Sequence, residues 1–210
     1  MKICEIFSSI QGESSYAGLP CIFVRLSGCN LRCSYCDTTY AYEDGFEMTQ
    51  EEVMEEVRKS GLDLVEITGG EPLIQDEVLP LINKLINDGY TVLIETNGSI
   101  DISKVNKEAI IIMDIKTPGS GMASEMMLSN LALLKKQDEV KFVLCSRTDY
   151  EWAREFIKTH SLTKRCNVLF SPAFGMIDPE RISRWIIEDR LNVRLNIQIH
   201  KYIYSLSRGV

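Results

Sequence analysis

The chain has 210 residues, of which 45% are hydrophobic and 25% are charged. This composition is typical of a globular protein, and the length predicts a single domain over residues 1–210. Twenty-three lysines and arginines against 30 aspartates and glutamates give a net charge of −7. We therefore expect no direct binding to nucleic acid and, without a long apolar run, no membrane insertion. The N-terminus turns polar too early for a signal peptide, so we expect a cytoplasmic protein.

From about residue 20, short apolar runs alternate with helical patterns. The first half of the chain predicts, in order, a strand over 21–27, a helix over 49–59, a strand over 64–68, a helix from Asp76 to Gly89, and a strand over 91–96. Thr49 and Glu52 have the spacing of a capping box, in which two side chains satisfy free backbone groups at a helix start.

The second half continues the alternation. It predicts, in order, a strand over 109–116, a helix over 124–134, a strand over 140–145, a helix over 148–159, a strand over 168–171, a helix from Asp178, and a strand over 194–199. Thr148 with Glu151 is interpreted as a second capping box. Pro179 follows Asp178 as the first residue of its helix, a position where proline is favoured.

This order of elements predicts the fold class. Continuous apolar strands are typical of parallel strands buried on both faces, and their alternation with helices predicts an α/β fold. A complete eight-fold barrel takes about 250 residues. We therefore expect an incomplete, TIM-like barrel of about six parallel strands, with a flat doubly wound sheet as the alternative. In either case the functional groups should gather at the carboxyl ends of the strands.

Cysteines form the clearest chemical signal. Cys29, Cys33 and Cys36 follow the first apolar strand with the spacing C-x3-C-x2-C. Three thiolates in one short loop can hold a soft metal centre, but a closed structural site needs four ligands. The residues alone leave three interpretations: a zinc site with a distant fourth ligand, a redox pair of Cys33 and Cys36, or a 4Fe–4S cluster with one open iron.

The other cysteines are scattered along apolar stretches. They are Cys4, Cys21, Cys145 and Cys166. An odd total in a chain of this length does not suggest a disulfide scaffold. We expect these four thiols to behave as small buried hydrophobic groups.

Two motifs together resemble the radical S-adenosylmethionine superfamily. The first is the cysteine spacing with Tyr35 directly before the last cysteine, and the second is the sequence TGGEP at 68–72. Glycines allow a ligand to approach the backbone closely. The resemblance implies a 4Fe–4S cluster held by Cys29, Cys33 and Cys36, with S-adenosylmethionine chelating the fourth iron.

Further segments resemble one family within it, the 7-carboxy-7-deazaguanine synthases. These segments are IQGE at 10–13, CDT at 36–38, ETNG at 95–98, DIK at 114–116 and QIHK at 198–201. The resemblance implies conversion of 6-carboxy-5,6,7,8-tetrahydropterin into 7-carboxy-7-deazaguanine with loss of ammonia, in deazapurine (queuosine) biosynthesis. It also implies Mg²⁺ beside the substrate, a flavodoxin- or ferredoxin-like reductant, and a homodimer.

The same resemblance implies a set of site residues. S-adenosylmethionine should contact Tyr35, Cys36, Asp37, Gly69, Gly70, Glu71, Asn97, Asp114, Ile115, Lys116, Ser171, Pro172, Ala173 and Phe174. The pterin should contact Ile10, Gln11, Gly12, Glu13, Arg25, Thr68, His200 and, through the terminal carboxylate, Val210. Thr38 should be a Mg²⁺ ligand; because a hydroxyl is a weak ligand, most of the ion's shell would come from water and substrate oxygens.

Elementary chemistry supports part of this set and leaves alternatives for the rest. Gln11 and Glu13 suit the donor–acceptor edge of a pterin. Arg25 lies inside an apolar strand, where an unpaired charge is costly, so it either clamps a substrate carboxylate or forms an internal salt bridge. Asp114 and Lys116 could contact S-adenosylmethionine or pair with each other, and His200 could be a core histidine.

Two other functions share part of the pattern. A glycyl-radical activating enzyme has the same cysteine spacing and acts on a protein backbone, but would not need Gln11, Glu13 and Arg25. An electron-transfer protein would close its cluster with a fourth cysteine, for which Cys4 and Cys21 are the candidates.

Overall fold

The computed structural model describes residues 1–205, 208 and 209 of the chain. The strands are β1 (Lys2–Ile10), β2 (Pro20–Leu26), β3 (Phe46–Glu47), β4 (Leu64–Gly69), β5 (Thr91–Thr96), β6 (Ile110–Asp114), β7 (Glu139–Leu144), β8 (Asn167–Pro172) and β9 (Arg194–Leu195). The helices are α1 (Gln50–Ser60), α2 (Val78–Asn87), α3 (Arg147–His160), α4 (Pro179–Glu188) and α5 (Ile199–Ile203).

All nine strands belong to one sheet in the order β3-β1-β2-β4-β5-β6-β7-β8-β9. Each neighbouring pair from β2 to β9 is parallel, whereas β1 is antiparallel to both β2 and β3. Within the described residues β3 and β9 are not paired with each other, so the barrel is open. The predicted incomplete barrel is confirmed, with six main parallel strands and the two-residue β9 added at one edge.

Successive side chains of each strand point to the two opposite faces of the sheet, and these faces differ in composition. In β2, Ile22 and Val24 belong to the large core that includes buried side chains of the helices, whereas Cys21 and Phe23 belong to a smaller cluster on the other face. Successive strand residues point to opposite faces, so Arg25 shares the face of Cys21 and Phe23. The inner face is therefore apolar near the amino ends of the strands and charged toward their carboxyl ends.

Most helix boundaries agree with the sequence patterns. Thr49 and Glu52 form the predicted capping box at α1. Asp178 caps α4, where its Oδ1 accepts from the Glu180 amide at 2.9 Å, and Pro179 is the first helical residue. The predicted cap at Asp76 is wrong, because α2 begins at Val78 after Glu77 and shows no side-chain cap.

The capping box at Thr148 and Glu151 is also wrong. Helix α3 begins at Arg147, and its cap is Ser146, whose Oγ accepts from the Asp149 amide at 3.2 Å. Glu151 instead pairs with Arg147 one turn away, at 2.9 Å. Ser146 and Thr148 both carry a hydroxyl at the start of this helix, and the Asp149 side chain is bonded to the Gly119 amide at 2.8 Å and the Cys145 amide at 2.9 Å.

Two further segments differ from prediction. Residues 124–134 do not form an α-helix but short 3₁₀ turns at Ala123–Glu125 and Leu128–Ala132. The buried Asn130 side chain donates to the Ile100 carbonyl at 2.7 Å, so this segment is held by long-range bonds. The last predicted strand, 194–199, is a strand only at Arg194–Leu195, and Ile199 begins α5.

Strand β1, which pairs with β2, was not predicted, because half-buried polar residues interrupt its alternation of apolar and polar side chains. The scattered cysteines behave largely as expected: Cys4, Cys21 and Cys166 are buried and Cys145 is half-buried. Within the described part of the chain, no helix combines the length and apolar character needed to cross a bilayer.

Candidate functional site

One cleft of about 750 Å³ opens at the carboxyl ends of the parallel strands. It is lined by the three clustered cysteines and by nearly every residue predicted for the site. Two of the predicted residues, Glu71 and Ile115, lie buried outside its lining. Val210 lies outside the described residues. The topology thus brings together motifs separated by up to 190 residues, as the strand-end rule predicts.

The cysteine loop leaves β2 and is anchored through Ser34 to the segment at 119–120. Ser34 donates its amide to the Ser120 carbonyl at 3.0 Å and its hydroxyl to the Gly119 carbonyl at 2.7 Å. Cys29, Cys33 and Cys36 are half-buried and free of disulfides. Three thiol donors on one anchored loop at a cleft fit a 4Fe–4S cluster with one iron left open.

Burial raises the pKa of the Cys33 thiol, while the nearby Lys116 ammonium opposes that rise. Within residues 1–205, 208 and 209, no three histidine, cysteine or acidic side chains are placed to hold one metal ion.

The TGGEP segment lies directly beside the start of the cysteine loop. Gly69 has a φ of 150°, and a Cβ there would collide with the Leu26 carbonyl oxygen. A Cβ on Gly70 would lie 2.6 Å from Cys29 Cβ and would also collide with the Gly28 carbonyl oxygen. Only glycine allows these two chain segments to lie so close, so the motif sets the position of the first cysteine.

The Glu71 side chain holds the TGGEP segment in place through hydrogen bonds. It is fully buried and accepts from the Asn97 amide at 2.6 Å, the Leu73 amide at 3.0 Å and the Thr96 hydroxyl at 2.9 Å. Burial raises its pKa to about 7, against the effect of these donors. Both carboxylate oxygens are occupied by protein groups, so Glu71 joins the β4 loop to the end of β5.

Asp114, Lys116 and Tyr35 form a buried polar group beside the cysteines. Lys116 Nζ lies 2.7 Å from Asp114 Oδ2 and 5.8 Å from the centre of the Tyr35 ring. The mutual ion pair considered from sequence is therefore present. The Tyr35 hydroxyl and Asp114 Oδ1 are buried without any hydrogen-bond partner in the described chain. Such atoms are costly to bury, and a polar ligand in the cleft would satisfy them.

The opposite wall carries Gln11 and Glu13. Gln11 is buried, donates its amide nitrogen to Glu66 Oε2, and accepts from the Glu13 amide at 2.6 Å. Glu13 accepts from Gln198 Nε2 at 2.8 Å and pairs with Lys141 Nζ at 3.0 Å. These bonds fix the IQGE loop against three different parts of the chain.

Glu66, Glu95 and Lys141 belong to this wall and were missed by sequence reasoning. Lys141 Nζ contacts Glu95 Oε1 as well as Glu13, and Thr68 Oγ1 donates to Glu95 Oε2 at 3.1 Å. Burial is the main cause that raises the pKa of Glu66 well above that of an ordinary glutamate. Each of the three is a charged residue inside an apolar strand, the same signal that singled out Arg25.

Arg25 forms the internal salt bridge that was its alternative role. Its Nε lies 2.8 Å from Glu5 Oε1, and Glu5 also accepts from the Tyr40 hydroxyl at 3.0 Å. Arg208 Nε approaches the other Glu5 oxygen at 3.1 Å. Arg25 still lines the cleft, with only its Nε hydrogen-bonded within the described residues.

The start of α5 packs against the IQGE loop at the edge of the cleft, where the Ile199 amide donates to the Gly12 carbonyl at 2.9 Å. His200 lies against Gly12 so closely that a Cβ at residue 12 would collide with its ring. Burial lowers the pKa of His200. Lys201 Nζ pairs with Asp37 Oδ2 at 2.8 Å, and Thr38 Oγ1 donates to Asp37 Oδ1 at 3.0 Å. Burial alone would raise the pKa of Asp37, but Lys201 and Thr38 lower it to about 2.

The end of β8 completes the site. Ser171, Pro172 and Ala173 are buried while lining the cleft, and the Phe174 ring is exposed. Asn196, which was not predicted, donates to Ser171 Oγ at 2.8 Å and accepts from the Ser14 amide at 2.8 Å. Nothing near Asn196 in the sequence reveals these partners, because Ser14 is 182 residues away.

Comparison with known proteins agrees with this geometry. Residues 23–114 match the profile of the Radical SAM superfamily. The crystal structure of QueE from Escherichia coli superposes with a TM-score of 0.75 at 25% identity, covering 94% of this chain and 93% of that one. The partial barrel and its cysteine loop therefore define a radical SAM enzyme.

Comparison with curated relatives identifies the family within the radical SAM enzymes. A 7-carboxy-7-deazaguanine synthase from Koribacter versatilis is 46% identical over 98% of this chain and 97% of its own length. Another from Chlorobaculum tepidum is 43% identical over 100% of this chain and 97% of its own length. The chain belongs to the 7-carboxy-7-deazaguanine synthase family, which confirms the family predicted from the motifs.

Proposed function

We propose that the protein converts 6-carboxy-5,6,7,8-tetrahydropterin into 7-carboxy-7-deazaguanine and ammonia, as a step of deazapurine biosynthesis leading toward queuosine. The observation that carries this proposal is the single cleft in which the cysteine loop faces a wall of carboxylates, an amide and a guanidinium. The names of the curated relatives, which match nearly the whole chain, support the same reaction.

Cys29, Cys33 and Cys36 would hold the 4Fe–4S cluster. When bound, the cluster would supply the electron that cleaves S-adenosylmethionine reductively. Lys116 and Asp114, with the unpartnered Asp114 Oδ1 and Tyr35 hydroxyl, would bind polar groups of S-adenosylmethionine. The remaining predicted contacts come from Asp37, Gly69, Gly70, Asn97 and Ser171–Phe174, all of which line the cleft.

The pterin would lie against the wall of Gln11 and Glu13. Carboxylate and amide oxygens accept from the ring N–H and amino groups of an aminopyrimidinone, and the amide nitrogen donates to its carbonyl. Arg25 would bind the substrate carboxylate through the guanidinium nitrogens that Glu5 does not use. Thr68 and His200 would orient the ring from either side, while the Ile10 and Gly12 backbone would contact its edge.

Thr38 would be the protein ligand of Mg²⁺ beside the substrate. Its hydroxyl lies next to the Asp37 carboxylate at the mouth of the cleft. Mg²⁺ commonly keeps several waters and takes few protein ligands, so one hydroxyl and substrate oxygens are a sufficient set.

Partners and location follow from the family. We propose a flavodoxin- or ferredoxin-like reductant and a homodimer, with no direct contact to nucleic acid. We also propose a cytoplasmic location for this acidic protein.

An anaerobic turnover assay tests the reaction. The cluster is reconstituted and reduced, then S-adenosylmethionine, Mg²⁺ and 6-carboxytetrahydropterin are added, and products are identified by mass. Formation of 7-carboxy-7-deazaguanine and ammonia is expected, and a Cys33→Ala variant should form neither. If 5′-deoxyadenosine appears without deazaguanine, the substrate assignment is wrong, and an activating enzyme for a glycyl radical becomes the better interpretation.

A further inference from the structure

A buried ammonium group lies at the centre of the substrate wall. Lys141 projects from β7, and its side chain is only 7% exposed. Its Nζ lies 3.0 Å from Glu13 Oε2 and contacts Glu95 Oε1 on β5. No other lysine or arginine among the described residues pairs with either carboxylate. Three separate elements are therefore joined through one positive charge.

The electrostatics show what this charge does. Burial alone would raise the pKa of Glu95, but Lys141, together with Arg25 and Thr68, outweighs burial and the pKa is lowered. Glu66 lies in the same wall without an ammonium contact, and there burial raises the pKa well above the ordinary value. Burial alone would lower the pKa of Lys141, yet Glu13 and Glu95 raise it. Lys141 is thus charged, and among the groups that lower the pKa of Glu95 it has the largest effect.

Other charged groups also face this wall. They are Arg25 on β2, Glu66 on β4, Asp114 on β6 and His200 on α5. Arg25 is already paired with Glu5, and Asp114 with Lys116. Burial is the main cause that lowers the pKa of His200, while Glu13 acts in the opposite direction. These groups remain in a variant that lacks only Lys141, so a comparison with the wild type isolates the lysine.

We propose that Lys141 is a positioning residue that holds Glu13 and Glu95 as neighbouring hydrogen-bond acceptors directed at the amino-bearing edge of the pterin, and that it keeps Glu95 ionised. This proposal rests on the proposed function. It also explains specificity: a lumazine has an oxygen where a pterin has its amino group, so an acceptor would face an acceptor. An unpaired buried polar group is strongly disfavoured, and the lumazine is rejected.

The test measures binding rather than turnover. The reconstituted, S-adenosylmethionine-bound protein is titrated anaerobically with 6-carboxypterin and with 6-carboxylumazine, with Lys141→Met beside the wild type. Wild-type affinity for the pterin should change less than about twofold between about pH 5.5 and about pH 7.5, a window above the ordinary carboxyl pKa. Lys141→Met should bind about tenfold or more weakly at the acid end, because Glu95 without its ammonium partner takes up a proton there.

Two features separate positioning from a general structural role. The affinity of Lys141→Met should partly recover as the pH rises, and its preference for the pterin over the lumazine should be smaller than that of the wild type. The matched control is Lys135→Met, since Lys135 pairs with Asp138 at 2.9 Å near the opposite end of β7. That variant should keep the affinity, pH profile and preference of the wild type.

A second variant keeps the proposal testable if Lys141→Met does not fold. Lys141→Met combined with Glu95→Gln removes both charges of the closest pair, and it should bind the pterin weakly but with little dependence on pH. A strong pH dependence in this double variant would overturn the proposal.

Other outcomes are equally distinct. Equal weakening of Lys141→Met at every pH, with the pterin preference unchanged, would also refute the positioning role, although the proposed function would stand. If the wild type itself binds no pterin, the proposed function falls, and this proposal with it.

Discussion

Replacing Gly70 with alanine tests how the glycine pair determines the position of the cysteine loop. The added Cβ would lie 2.6 Å from Cys29 Cβ, whereas carbon atoms ordinarily touch at about 3.5–4.0 Å. The two segments must separate by about 1 Å, and the neighbouring Gly28 carbonyl prevents a purely local adjustment. Because Cys29 moves with its loop, we expect both lower stability and poorer retention of the cluster.

The size of the effect follows from overpacking. Such insertions cost about 1–3 kcal/mol. In a chain of this length each kcal/mol lowers the melting temperature by about 2–4 °C, so a decrease of about 2–12 °C is expected. Thermal unfolding of the apoprotein gives the stability, and iron and sulfide per chain after anaerobic reconstitution give the cluster content.

Gly61→Ala is the matched control. Gly61 ends α1 with a φ of 65°, and no atom lies within 4 Å of a Cβ built there. Left-handed strain alone should lower its stability by about 1–2 kcal/mol and leave cluster content unchanged. If Gly70→Ala retained iron and sulfide like the wild type and melted at the same temperature, the packing argument would be refuted.

The remaining predictions concern stability. Glu71 has a pKa of about 7 in the folded state, above the 4.5 of a free glutamate, so the folded state binds its proton more tightly. Apoprotein stability should therefore fall as the pH rises from about 4.5 to about 7, and urea unfolding of Glu71→Gln should lose that slope. Phe142→Ala, which empties a fully buried site, should cost about 3–5 kcal/mol by the same measurement. Thr49→Ala should cost about 1 kcal/mol through loss of the capping box, with turnover unchanged.

The parallel core of the fold could be predicted because its signals are local. Short apolar runs identified β2 and β4–β8, and the alternation with helices predicted an open barrel. The helix predicted over residues 124–134 is wrong because this segment is held by the distant hydrogen-bond partners of Asn130 rather than by its own periodicity. Strand β1 was not predicted because it lies next to the sheet edge and is only half-buried.

The candidate site shows the same division. Motif residues such as Cys29 and Gly70 could be identified from spacing, and Arg25 from its place in an apolar strand. Glu66, Glu95 and Lys141 carry the same signal, so they could have been found by applying that criterion to every strand. Asn196 could not, because its role depends on bonds to Ser14 and Ser171 that only the closed fold brings together.

The central claim is that the cysteine loop and the wall of Gln11 and Glu13 form one reaction site. It is tested most directly with substrate carrying deuterium at C6, incubated anaerobically with the reduced enzyme, S-adenosylmethionine and Mg²⁺. In the proposed reaction, the adenosyl group released by reductive cleavage takes a hydrogen atom from substrate C6. The account therefore predicts that deuterium passes from substrate C6 into the adenosyl group, detected by mass, only when the wild-type cysteines are present. If 7-carboxy-7-deazaguanine forms while the adenosyl group remains free of deuterium, the two halves of the cleft do not act together and the account is contradicted.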